Sequence, residues 1–146
     1  SAICPGHRAP TRQTLRRCFP LYEGILANTP WDIRAHRMLA WSLTRIGQRS
    51  RALSHYQLAL ERNPDDFESL TNMAAIALSL DKAEGVDFLD RALLANPHHA
   101  TAYRIYVQYL RDQGRTTDAH EMVRRASVHL SEEEAEAVER VLSRVN

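Results

Sequence analysis

The residues with the clearest potential for chemistry lie near the N-terminus. Cys4-Pro-Gly-His7 has half of the ligand spacing of a zinc site, and Cys18 could supply a third ligand. No second Cys or His pair lies nearby to complete a tetrahedral set, and the chain has no other cysteine. We therefore expect no metal site and interpret the first residues as an N-terminal arm.

The rest of the sequence lacks the familiar catalytic motifs. It contains no nucleophile elbow, no glycine-rich phosphate loop and no His-Glu-x-x-His. His98 and His99 follow Pro97 at the place where Asp65 and Asp66 follow Pro64, which favours a solvated turn and a helix start. We expect neither enzymatic activity nor a cofactor.

Composition limits the classes of partner that this chain is expected to bind. The 146 residues fit one domain, and a net charge of +1 disfavours nucleic acid, whose binders carry a clear basic excess. No apolar run is long enough to span or insert into a membrane. Two cysteines without a disulfide pattern slightly favour the cytoplasm, although a periplasmic location and one bridge stay open.

Three prolines define an internal repeat, because Pro30, Pro64 and Pro97 are 34 and 33 residues apart. Within this period a large residue followed by a small one recurs in register, a turn residue ends the first amphipathic run, and small residues flank a bulky one in the second. These positions are, in order, Leu39-Ala40, Met73-Ala74 and Tyr106-Val107; Gly47, Asp81 and Gly114; Ala52, Tyr56 and Ala59; and Ala119, Val123 and Ala126.

In these residues the sequence resembles the tetratricopeptide repeat (TPR) family, and the match covers about residues 31 to 130. The resemblance implies an all-α fold, a right-handed α-α superhelix of about seven or eight antiparallel helices. His36, Leu70 and Tyr103 replace the tryptophan of the family's first helix. The middle copy carries Gly85 where alanine is expected, and an interior glycine costs about 0.5–1 kcal/mol, so we expect this hairpin to be the weakest.

Both ends of the chain carry sequence patterns that predict further helices. Ser131 followed by three glutamates predicts a capping box and a final helix with an acidic, solvated outer face. Cys18 and Tyr22 precede Pro30 at the offsets of a second repeat helix, and Pro20 should start or kink that helix. The predicted organisation is an N-terminal arm and half-repeat helix (1–30), three repeats (31–64, 65–97 and 98–130) and a C-terminal capping helix (131–146).

The first helix of each TPR hairpin lines a concave groove, and the resemblance implies which residues face it here. The candidate peptide-binding residues are Arg34, Arg37, Trp41, Arg45, Asn72, Arg104, Gln108 and Arg111. Arginine binds carboxylates bidentately, and tryptophan is a frequent interface anchor. The alternative is that these arginines are simply solvated. The family's chaperone-tail clamp is incomplete, since Trp41, Thr101 and Ile105 replace three of its polar residues.

Three functional hypotheses remain open at this point. The first is a non-catalytic scaffold that binds another protein or an acidic peptide in the arginine-rich groove. The second is structural assembly, in which the N-terminal half-repeat stacks on another copy or on further repeats of a longer protein. The third, supported only by length and architecture, is a small chaperone of the bacterial secretion type. The partner, its pathway, the oligomeric state and the state of Cys4 and Cys18 are not specified by the sequence.

Overall fold

The computed structural model describes residues 9–144, and within that range the chain forms eight α-helices and no strand. The predicted all-α class is confirmed. The helices are α1 (Arg12–Asn28), α2 (Ile33–Arg45), α3 (Arg49–Arg62), α4 (Phe67–Leu78), α5 (Glu84–Ala95), α6 (Ala100–Asp112), α7 (Thr116–His129) and α8 (Glu132–Ser143).

Side-chain caps fix the start of several helices. The Asp32 carboxylate accepts a hydrogen bond from the Ala35 N–H at 2.7 Å and begins α2. At α8 the Ser131 hydroxyl accepts from the Glu134 N–H, and the Glu134 carboxylate accepts from the Ser131 N–H, which confirms the predicted capping box. Pro20 was expected to start or kink a helix; it lies inside α1 and does not start it.

The three turn residues share one backbone conformation. Gly47 has a φ angle of 89° and Gly114 one of 70°, and each lies just after the helix that opens a predicted hairpin. Asp81, at the equivalent place in the middle hairpin, has a φ of 56°. All three lie in the left-handed region, which glycine enters without strain and aspartate tolerates better than most residues. The sequence register therefore placed the turns correctly, including the one without glycine.

Gly85 has a packing role that the sequence did not predict. A Cβ built on this buried glycine would lie 2.5 Å from the Leu78 Cγ and 3.0 Å from the Ala74 carbonyl oxygen. The absence of a side chain lets α5 approach α4 closely. Gly85, in the first turn of α5, is therefore required by this contact, and the expectation that its hairpin is the weakest stays a prediction.

The chain divides into two compact units: a first unit up to Asn72 and a second unit from Met73 onward. In the first unit α2 packs against α1 and α3. Ala52, Tyr56 and Ala59 of α3 are fully buried, which places the bulky residue between two small ones as the repeat pattern requires.

In the second unit α6 packs against α5, α7 and α8, and α7 also contacts α8. Its core is a continuous cluster of buried residues from α5 to α8, together with Ala74 of α4. Tyr103 and Val107 of α6 are fully buried in this core, as are Ala119, Ala126 and Val138 from the two following helices. Val138 ties α8 to the repeat helices, as expected of a capping helix. The exact limits of the repeats stay a prediction.

Candidate peptide-binding site

In the first unit the candidate Arg37 is held by two acidic residues. Its guanidinium lies 2.8 Å from an oxygen of Asp66 and 2.7 Å from an oxygen of Glu68. Asp66 is buried and also accepts hydrogen bonds from the backbone N–H and the hydroxyl of Ser69 at the start of α4. Arg37 therefore joins α2 to the start of α4 and neutralises a buried carboxylate, which is a structural role.

The other candidates of the first unit are arranged along α2 and the first half of α4. The Arg45 guanidinium lies over the Trp41 ring, 5.8 Å from its centroid, in a cation–π contact. Arg34 is exposed. The Asn72 side-chain amide donates to the Glu68 carbonyl at 2.8 Å, so its N–H group is engaged within α4.

In the second unit Arg111 is also engaged in holding the fold. One of its terminal nitrogens donates to the carbonyls of Val141, at 2.6 Å, and Arg144, at 3.0 Å. These carbonyls belong to the C-terminal end of α8, where backbone acceptors lack partners within the helix and cations are favoured. Arg111 therefore caps α8, and the prediction that it faces a ligand has no support from its contacts.

The second unit contains an open cavity of about 630 Å³ between α4, α6 and α8. We call it the α8 cavity. Its lining residues are Ala75, Leu78, Ser79, Thr101, Arg104, Ile105, Gln108, Tyr109, Asp112, Ala137, Arg140, Val141 and Arg144. Two of the candidate residues, Arg104 and Gln108, meet here. The volume is within the range of ligand-binding pockets.

Within the cavity the polar groups differ in how far they are already satisfied. The Gln108 amide donates to both oxygens of Asp112, at 2.9 and 2.8 Å, and Arg111 contacts the same carboxylate at 3.1 Å. The Gln108 hydrogen bond, and then Arg111, lower the pKa of Asp112, so this carboxylate is ionised and compensated at neutral pH. Arg104 is exposed and makes one weak contact, to the Thr101 hydroxyl at 3.4 Å.

The sequence reasoning missed the contribution of α8. Ala137, Val141 and Arg144 recur at intervals of four and three residues, and Arg140 is three residues after Ala137 and four before Arg144, so these four residues share one face of α8. The glutamates dominate the sequence of α8, and one of them, Glu136, pairs with Arg140 on the same side of the helix. The helical spacing of these arginines was the available signal.

A histidine pair lies in the first unit outside the candidate site. The His36 Nε2 lies 2.8 Å from the Pro30 carbonyl oxygen and must donate to it, so the neutral His36 Nδ1 accepts from the His55 Nδ1 at 3.0 Å. Burial, followed by the nearby His36 and Arg51, lowers the pKa of His55, and Glu23 opposes this shift. The lowered pKa favours the neutral His55 ring, and the two hydrogen bonds link α3 to the turn before α2.

Cys4 and His7, which were considered as zinc ligands and rejected, lie outside the described residues. Cys18 is buried in α1, where its thiol donates to the Thr14 carbonyl at 3.4 Å. Among residues 9–144 no group of three or more metal-binding side chains comes together. None of the helices in this range has both the length and the apolar character to cross a bilayer.

Comparison with known proteins supports the fold and leaves the ligand open. No protein-family model matches this sequence, and neither does any curated protein. A solved structure, the crystal structure of MamA, a TPR-like protein, matches with a TM-score of 0.66 at 14% sequence identity. The match covers 89% of this chain and 81% of MamA. The chain has a TPR-type helical repeat fold. At this low identity the likeness to MamA extends to the fold alone.

Proposed function

We propose that this TPR-type chain is a non-catalytic scaffold that binds a segment of a partner protein. TPR-type folds generally bind proteins, because their stacked hairpins present an extended surface rather than an enclosed pocket. The observation that carries the proposal is the α8 cavity, where Arg104 and Gln108 meet an apolar floor. Such a combination of apolar surface and a few polar groups is typical of binding sites.

The contacts divide the candidate residues into two groups. Arg37 and Arg111 hold the fold, since their guanidiniums are taken by carboxylates and by backbone carbonyls. Arg34, Arg104 and the stacked pair of Trp41 and Arg45 have surfaces that a partner could contact. Of this second group only Arg104 lines the α8 cavity, and we assign partner binding to it, with Gln108 as its polar neighbour.

The proposal is tested by capture of a partner with matched variants. Tagged wild-type protein, Arg104→Glu and Arg49→Glu are compared for recovery of a partner, and circular dichroism verifies helical content. Arg49 is an exposed arginine at the start of α3 and serves as the control. We expect Arg104→Glu to lose the partner and Arg49→Glu to retain it. Equal recovery by all three proteins would contradict the proposal.

A second candidate function, assembly through α1, has one observation in its favour. Leu21 and Ile25 are exposed, by 44% and 38%, and are one helical turn apart on α1. A stacked copy or a further repeat would cover them. Light scattering decides this candidate: assembly predicts a concentration-dependent mass that Leu21→Glu reduces, and a monomer at all concentrations contradicts self-assembly.

A further inference from the structure

The α8 cavity has an uncompensated positive charge. Its lining includes three arginines, namely Arg104 from α6 and Arg140 and Arg144 from α8, and one carboxylate, Asp112. Asp112 is already bonded to Gln108 and Arg111. Arg140 has only an exposed ion pair with Glu136 at 3.6 Å, and such pairs contribute little. Within the described chain no acidic group lies within ion-pair distance of Arg104 or Arg144.

The floor of the same cavity is aliphatic. Ala75 and Leu78 line it from α4, Ile105 from α6 and Val141 from α8, with the half-buried Tyr109 beside them. Leu78 packs directly over the backbone of Gly85. An occupant would gain free energy by burying an apolar side chain here, roughly 25 cal/mol for each Å² removed from water.

The two kinds of surface together specify the ligand. A free phosphate would use the arginines and leave the aliphatic floor exposed to water. A nucleic acid would require a basic stripe, whereas the whole chain has a net charge of only +1. A peptide that carries a carboxylate close to an aliphatic side chain satisfies both surfaces, since arginine pairs with carboxylates through parallel hydrogen bonds.

We propose that the α8 cavity binds an acidic segment of another protein, with carboxylates paired to Arg104, Arg140 and Arg144 and an aliphatic side chain on Ile105, Leu78 and Val141. The inference deepens the proposed function and rests on it. It assigns to α8 a role beyond capping, because this helix supplies two of the three charges. The three arginines disfavour basic segments, and Asp112 in the same lining is already bonded to Gln108 and Arg111.

Selection of peptides from an unbiased displayed library tests this assignment. Wild-type protein, the variant Arg104→Glu/Arg140→Glu/Arg144→Glu and the first-unit control Arg34→Glu/Arg45→Glu are each panned against random short peptides. Circular dichroism and thermal unfolding verify the fold. The single variant Arg104→Gln, at an exposed position with one weak hydrogen bond, serves if the triple variant is unstable.

We expect the wild type and the first-unit control to enrich peptides that combine Asp or Glu with Leu, Ile or Val, and the cavity variant to lose them. Arg104→Gln should weaken binding of an enriched peptide about ten-fold, the equivalent of roughly 1.4 kcal/mol. If the enriched peptides lack acidic residues, or bind the cavity variants as well as they bind the wild type, this inference is overturned and the proposed function stands. If wild type enriches nothing, both are overturned.

Discussion

The two units use arginine differently. In the first unit Arg37 is bound by Asp66 and Glu68, and Arg45 stacks on Trp41. In the second unit Arg111 caps α8, while Arg104 and Arg144 line a cavity without an acidic partner in the described chain. An arginine on the expected face of a helix is therefore available to a ligand only when the rest of the fold leaves it without a strong partner.

The largest expected difference between the two units is in affinity. For an acidic peptide enriched by the wild type, Arg104→Glu/Arg140→Glu should weaken binding by at least about 100-fold, because two attractive contacts of about 1.5–3 kcal/mol each are lost and replaced by repulsion. Arg34→Glu/Arg45→Glu in the first unit should change affinity by less than about three-fold, since solvated charges outside the site act weakly. Fluorescence anisotropy measures both. Equal losses would mean that the units do not differ as described.

The engaged arginines should affect stability instead. Arg111→Ala removes charge-assisted hydrogen bonds to two carbonyls of α8 and should cost about 1.5–3 kcal/mol in the free energy of unfolding. Hydrogen exchange should accelerate in α8. Arg34→Ala is the matched control and should change stability by less than about 0.5 kcal/mol. Denaturant unfolding is the measurement, and a neutral Arg111→Ala would refute the capping role.

Two helical glycines, one in each unit, differ in how closely their neighbours pack against them. Gly85→Ala forces a Cβ against Leu78, so we expect a loss of about 1–3 kcal/mol in stability and weaker peptide binding in the α8 cavity. A Cβ added to Gly24 in α1 would meet no neighbouring atom within 4 Å. Gly24→Ala should therefore stabilise the protein by about 0.5–1 kcal/mol. Thermal unfolding compares the two, and a stabilising Gly85→Ala would contradict the packing.

The smallest expected effect is a pH dependence specific to the first unit. The pKa of His55 is lowered by folding, so the native state resists a proton that the unfolded chain accepts below its ordinary pKa of 6.5. This contribution is fully present above that pH and is lost as the pH falls toward the native pKa. His55→Gln should reduce the loss of stability at acidic pH. His120→Gln, at an exposed position on α7, should leave that loss unchanged. Unfolding curves at neutral and mildly acidic pH test this.

Much of the fold was predictable because its signals are local or periodic. The spacing of the prolines indicated the length of the repeat, and the position of Asp81 within the repeat identified it as a left-handed turn residue. Ser131 and the glutamates after it predicted the last helix. The packing role of Gly85 could not be predicted, because the sequence shows that a side chain is missing but not which neighbour occupies its space. Leu78 and Ala74 supply that information only in three dimensions.

The candidate site was predictable only in part, for a similar reason. The TPR resemblance indicated which side of each helix to consider, and Arg104 and Gln108 do line one cavity. The resemblance could not show that Arg37 and Arg111 are bound to groups of the protein itself, since their partners lie about thirty residues away along the chain. It also overlooked Arg140 and Arg144, because no repeat pattern covers α8.

The central claim is that the arginines lining the α8 cavity, rather than exposed arginines in general, mark the binding site. An NMR titration of the full chain with an enriched acidic peptide tests it most directly, read out on the arginine Nε–H and backbone signals. We predict that the signals of Arg104, Arg140 and Arg144 shift together with the backbone of Ile105 and Val141, while Arg34 and Arg45 stay unchanged. Shifts centred on α2, with a silent α8, would contradict the account.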